Sequence, residues 1–285
     1  MGLFRRNYDK PGPGVSKDEP QKNAFSRFWE LYFRKFFSLC KVNMLFAIPV
    51  IVCIVLMALV QSFIPMGPFA FLSNYLLALV FPFLGGLTYV CRNFAREEHA
   101  FIFSDFVDAV KDNWKQFLAN GIISVTLYTL LYVAISYYQS QLSTSWFFYI
   151  PFALCVILAI MAIFAEFYIP VIIVTFDMKL SQIYKNAFIF AIMGLWRNIL
   201  ILFVCGLVWL ISEFISYWIL IHLLVSIIVC FFFLFGFFGF FINFAVYPLI
   251  DQFMIRPAEE KEKKETKKVE EKKDDDEPTF RDSLY

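Results

Sequence analysis

Between Lys41 and Arg92 the chain carries no Asp, Glu, Lys or Arg. A helix needs roughly 20 apolar residues to cross the hydrocarbon core of a bilayer. This gap therefore holds two crossings, and it commits the chain to a membrane. Further apolar runs follow, and six spans are predicted at about 43–63, 71–91, 117–138, 148–175, 198–217 and 224–250. Composition agrees, with 60% hydrophobic and 17% charged residues, against about 45–50% apolar and about 25% charged in a soluble domain. The fold class that follows is an all-α membrane protein with six transmembrane helices. The membrane domain covers 25–255, between tails at 1–24 and 256–285.

The basic residues set the expected orientation. All 25 Lys and Arg lie before Val42, in Arg92–Lys115, in Lys179–Arg197 or from Arg256 onward. The connections at about 64–70, 139–147 and 218–223 carry none. The positive-inside rule then puts both termini and both charged loops in the cytoplasm of a cell-membrane protein. The N-terminal tail lacks an apolar run after Met1, so no cleavable signal peptide is expected. It contains Pro11, Gly12, Pro13 and Gly14, and such a segment buries no core. After Arg256-Pro257, where the last helix is expected to stop, the tail mixes acids and bases. Acids outnumber bases there, which excludes a nucleic-acid-binding arm.

Three stretches read as amphipathic helices on the cytoplasmic interface. In 25–41 the residues Phe25, Phe28, Trp29, Tyr32, Phe33, Phe36 and Leu39 share one face, with Arg27, Glu30, Arg34, Lys35 and Lys41 opposite. Ser104–Lys115 follows the same plan, with Ser104 as N-cap, and Ser181–Arg197 follows it in blurred form, because Ala187–Trp196 is nearly all apolar. Each is followed by an Asn (Asn43, Asn120, Asn198) and a hairpin of two spans. The pattern reads as a weak threefold repeat. Six scattered cysteines with no CxxC read as reduced, apolar side chains.

Charges inside the bilayer are costly, so intramembrane acids are the first candidates for function. Glu166 lies near the middle of span four, four residues before Pro170. A proline opens the helix ladder beside that carboxylate, and polar side chains at opened backbone build many transporter sites. Glu213 lies near the outer end of span five, where a carboxylate also reaches the water layer. The most polar stretch between spans is Arg92–Lys115, with Arg92, Asn93, Arg96, Glu97, Glu98, Asp105 and Trp114 as the candidate partner-docking residues. Gly85-Gly86 reads as a close helix contact. The phenylalanine-rich run Phe231–Phe241 reads mostly as lipid-facing bulk.

No GxSxG, HExxH or GxxxxGKS is present, and the chain has two His in all. A non-enzymatic protein is expected, with no catalytic residues, no metal site and no cofactor.

The stretch GGLTYVCRNFAREE, followed by a Ser-Asp-Phe helix with Lys, Trp and Lys, resembles the YesL-like integral membrane proteins of Gram-positive bacteria. The Phe28-Trp29 helix, Lys41-Val42-Asn43 and the Ser181 to Trp196-Arg197 segment fit the same resemblance, over about 25–255. That bacterial family is a domain of unknown function, so the resemblance assigns no site residues. It implies an association with carbohydrate uptake, with subunits of a sugar importer as partners. The lipid bilayer and a second copy of this chain are the other expected partners. Three readings follow. The first is a non-enzymatic accessory component of carbohydrate uptake. The second is an autonomous small-molecule transporter or channel with a site near Glu166. The third is a lipid-interacting scaffold.

Overall fold

The computed structural model describes residues 23–63, 68–218, 228–260 and 263. Residues 1–22 of the expected tail at 1–24, most of the tail at 256–285 and the start of the sixth span lie outside them. Among the described residues the chain is all-helical, with six helices long and apolar enough to span a membrane.

Helix α1 runs unbroken over Ala24–Phe63. A 3₁₀ stretch, Pro68–Val80, leads directly into α2, Phe81–Ala95. Helix α3 covers Ile102–Gln141. After a turn at Trp146–Phe148 come α4, Tyr149–Glu166, and the single-turn α5, Ile169–Ile173. Helices α6, Leu180–Met193, and α7, Leu195–Trp218, meet at Gly194. The last helix has a π turn at Cys230–Leu234, the α-helical segment α8 at Phe235–Ile250, and a second π turn at Asp251–Ile255.

Two expected boundaries are absent. The segments 25–41 and 43–63 form one helix of 40 residues, about 60 Å long at 1.5 Å per residue. Ser104–Lys115 is likewise continuous with its span in α3, which begins at Ile102. Ser104 does not cap this helix; Asp105 does the reaching back, accepting from the Phe101 amide at 2.8 Å. The reason for continuity is local. No Gly or Pro separates Lys41 from Asn43 or Lys115 from Asn120. Leu39, Val42 and Phe46 are buried on one face of α1, and a helix that continues keeps them together. Only the third unit breaks, at Gly194. The last helix also passes the expected stop and runs through Arg256-Pro257 to Glu260. A π turn shifts the carbonyl ladder just ahead of Pro257, where an α-helix would clash.

The phenylalanine run is mostly packed rather than lipid-facing, with Phe232 and Phe233 exposed. The Phe28 ring meets Phe237, Phe240, Phe241 and Phe244 of α8 at centroid distances of 6.2, 5.4, 5.5 and 5.4 Å. Phe36 stacks on Phe233, and Phe46 meets Phe235 edge-on. Flat rings interlock between two helices at these separations and add directional attraction beyond area burial. Phe240 is fully buried.

Helix α2 is the centre of the bundle, against α3 on one side and α8 on the other. A Cβ on Gly85 would stand 2.8 Å from the Phe117 ring, and one on Gly86 2.8 Å from the Phe106 carbonyl oxygen. The pair therefore sets a close α2–α3 approach, as its sequence predicts.

Candidate functional site

Helix α4 ends at Glu166, and the chain turns through Phe167 and Tyr168 before Pro170 sits in the first turn of α5. The expected continuous span at 148–175 is thus broken at its polar residue. The Ser124 hydroxyl donates to Oε1 of Glu166, and Asn120 Nδ2 donates to Oε2 at 3.4 Å. The Tyr184 hydroxyl donates to the side-chain oxygen Oδ1 of Asn120. Asn120 is fully buried and Ser124 nearly so. The carboxylate is therefore held by two neutral donors from one helix, α3, and Asn120 is itself positioned from another, α6.

A cavity of about 630 Å³ opens at the end that carries the charged loops. It is lined by Asp105, Asp108, Asp112, Lys115 and Gln116 of α3 and by Val174, Thr175 and Asp177 after α5. A second cavity, of about 500 Å³, lies farther along α3, lined by Ser124, Tyr128 and Tyr132 with Phe71, Asn74, Leu77 and Phe81. Both volumes fall in the size range of small-molecule sites, roughly 300–1,000 Å³. The 3₁₀ winding explains the second lining. With three residues per turn, Phe71, Asn74 and Leu77 stand in one row facing α3.

Helix α3 joins the two cavities. Asp112, Gln116, Asn120, Ser124, Tyr128 and Tyr132 recur every fourth residue along one ridge. The first two line the charged-end cavity, the next two hold Glu166, and Ser124, Tyr128 and Tyr132 line the far one. Gln116 and Ser124 are about 12 Å apart along the helix axis, so Glu166 sits between the cavities.

Arg92 and Asn93 turn inward. Arg92 is 7% exposed. Its guanidinium donates to Val174 O at 2.6 Å and to Thr175 Oγ1 at 3.0 Å, and to Asn93 Oδ1. It lies over the Tyr89 ring and ties the end of α5 to α2. Glu97 has φ of 63°, in the region that favours glycine. The Glu98 amide donates to Asn93 O and the Glu97 amide to Phe94 O, a Schellman closure of α2. The Glu97 carboxylate is clasped by Arg27 and Arg34 of α1, both at 2.9 Å. Hydrogen bonding to Arg34 leads in holding its pKa below the ordinary value, with burial opposing. Arg96 pairs with Glu98 at 2.7 Å and lies over Tyr247. Trp114 is exposed.

Pro170 therefore lies beside the Glu166 break. Glu213 sits on α7, which packs against α8 and α6, and it is not bonded to the Glu166 group. Sequence reading missed Ser124, Tyr128 and Tyr184. For Ser124 and Tyr128 the signal was present as the four-residue spacing from Asp112, hidden because each side chain alone is ordinary in a span; Tyr184, on α6, had none.

The three repeat asparagines all brace helix irregularities. Asn43 donates to Cys230 O and Phe231 O of the first π turn and accepts from the Gly236 amide. Asn120 serves the α4–α5 break. Asn198 accepts from the Tyr168 hydroxyl at 2.8 Å and donates to Ala191 O at 3.0 Å, beside the Gly194 break.

Fold and site together define a polytopic helical membrane protein with a buried polar group between two cavities. Residues 69–135 match the family model described as a protein of unknown function, DUF624. The matched stretch holds the 3₁₀ row, α2 and the α3 ridge through Tyr132. Comparisons with curated proteins and with solved structures give no match.

Proposed function

We propose that this is a non-enzymatic membrane transporter for a small solute, with its central site at Glu166 and the α4–α5 break. The observation that supports it is the placement of Glu166 between two cavities that share one ridge of α3. A broken helix beside a polar group is a common way to build such a site. In this reading the charged end faces the cytoplasm, by its basic residues. The test is stopped-flow light scattering of proteoliposomes challenged with a panel of neutral and charged small solutes. Solute-specific swelling that disappears in a well-folded Glu166→Gln protein is expected. Rates equal to those of empty liposomes for every solute would overturn the reading.

A second reading, an accessory subunit of a sugar importer, draws on the family resemblance and on exposed Phe101, Phe103 and Trp114 at the charged end. With Arg92 and Asn93 turned inward, docking would rest on Trp114, Arg96 and Glu98. Affinity capture from native membranes followed by mass spectrometry tests it. A stoichiometric importer subunit, lost in Trp114→Ala, is the expected result.

A further inference from the structure

We infer that the solute carried past Glu166 is a small organic cation of the ammonium type. The inference rests on the transport reading above and names its substrate class.

The first ground is charge. Both groups bonded to the Glu166 carboxylate, Ser124 and Asn120, are neutral. Among the described residues the recorded ion pairs do not include Glu166. An ionised carboxylate in an apolar bundle needs a counter-charge, because isolated buried charge is strongly disfavoured. In the inferred mechanism Glu166 is ionised when the solute is bound, and the solute supplies that counter-charge.

The second ground is the approach. The charged-end cavity presents Asp105, Asp108, Asp112 and Asp177 against Lys115. A cleft lined by one sign of charge raises the local concentration of the opposite ion. Arg92 adjoins it through Thr175 but is not part of its lining. Among the described residues these aspartates do not converge as metal ligands, so they act as a diffuse field.

The third ground is the far cavity. Its lining is aromatic and uncharged, with Phe71, Phe81, Tyr128 and Tyr132 around Asn74 and Ser124. Aromatic faces attract desolvated cations, and quaternary ammonium groups are their best-known ligands. A proton needs no cavity of about 500 Å³, and an anion would meet carboxylates in the charged-end cavity and at Glu166. An acidic approach, an unpaired carboxylate and an aromatic far cavity share one complementary ligand chemistry.

The test uses the full-length protein in proteoliposomes with an inside-negative potassium diffusion potential and radiolabelled tetramethylammonium as probe. This probe cannot lose a proton, so it does not leak as a neutral amine. Uptake above empty liposomes is expected. Glu166→Gln should lower it about tenfold or more, and Glu166→Asp, which keeps the charge, should retain most of it. Asp112→Asn should slow uptake chiefly at low ionic strength. Swelling with a neutral or anionic solute, without tetramethylammonium uptake, would overturn the cation inference and leave the transport reading standing. Proton flux to an entrapped pH dye without tetramethylammonium uptake would overturn it equally. No flux of any solute would overturn both.

Discussion

The Ser124 hydroxyl donates to Oε1 of Glu166 across the α3–α4 contact. With Asn120 on the other oxygen, it makes one helix the positioning surface for a carboxylate at the end of another. Ser124 also lines the far cavity, so the same hydroxyl links the buried acid to open space.

That link is measurable as a coupling. Ser124→Ala removes the donor to a buried acceptor and is expected to cost about 1–3 kcal/mol. In a Glu166→Leu background the same change should cost much less, giving a coupling of at least about 0.5 kcal/mol. Reversible unfolding in mixed micelles reads both. Additive losses would show that the two side chains do not share a bond.

Asn43 carries more of the fold than its size implies. Its side chain takes up two carbonyls and one amide at the π turn of the last helix. Asn43→Leu leaves these groups without that partner and is expected to destabilise by about 1–3 kcal/mol. The spread is wide, since hydrogen bonds between membrane helices average only about 0.6 kcal/mol. Proteolysis at the α1–α8 contact should rise in parallel. An unchanged unfolding midpoint would remove Asn43 from its bracing role.

Gly194 is set by Tyr168. A Cβ at position 194 would collide with the Tyr168 hydroxyl, which is committed to Asn198. Gly194→Ala is expected to destabilise by about 1–3 kcal/mol through overpacking. Tyr168→Phe should cost about 1 kcal/mol alone, yet recover part of the loss in the double variant. Losses that simply add would show that the Tyr168 hydroxyl is not what excludes a side chain at position 194.

The Glu97 clasp makes a pH prediction. Arg34, then Arg27, hold its carboxyl below the ordinary value of 4.5, with burial opposing. The folded protein therefore binds this proton less readily than the unfolded chain. The contribution is complete above 4.5 and is lost as pH falls through the lower folded value. The site is 40% exposed, so the gain stays within about 1 kcal/mol. Glu97→Gln should lower the unfolding midpoint at neutral pH, and the two proteins should converge on acidification. A constant difference across that range would exclude ion pairing as the cause.

What the sequence determined by itself follows from the bilayer as solvent. Six apolar runs of sufficient length, with basic residues confined to alternate connections, leave little but a six-helix membrane fold. The Gly85-Gly86 contact and the polar break at Glu166 and Pro170 were legible for the same reason, since small residues, prolines and buried charges have few uses in lipid. Tertiary structure decided the rest. Continuity of α1 and α3 depended on which face Leu39, Val42 and Phe117 found to bury, and no Gly or Pro stands at either expected junction. The phenylalanines of α8 could have faced lipid, and it was the Phe28 ring on α1 that made them an interface. Glu97 takes a left-handed backbone where α2 closes, and only the tertiary fold brings two arginines, 63 and 70 residues away in sequence, onto its side chain. The ridge from Asp112 to Tyr132 became a site only when a 3₁₀ row and a broken helix packed beside it. A polar side chain in a span has meaning only through its partner, and the partners here come from distant parts of the chain.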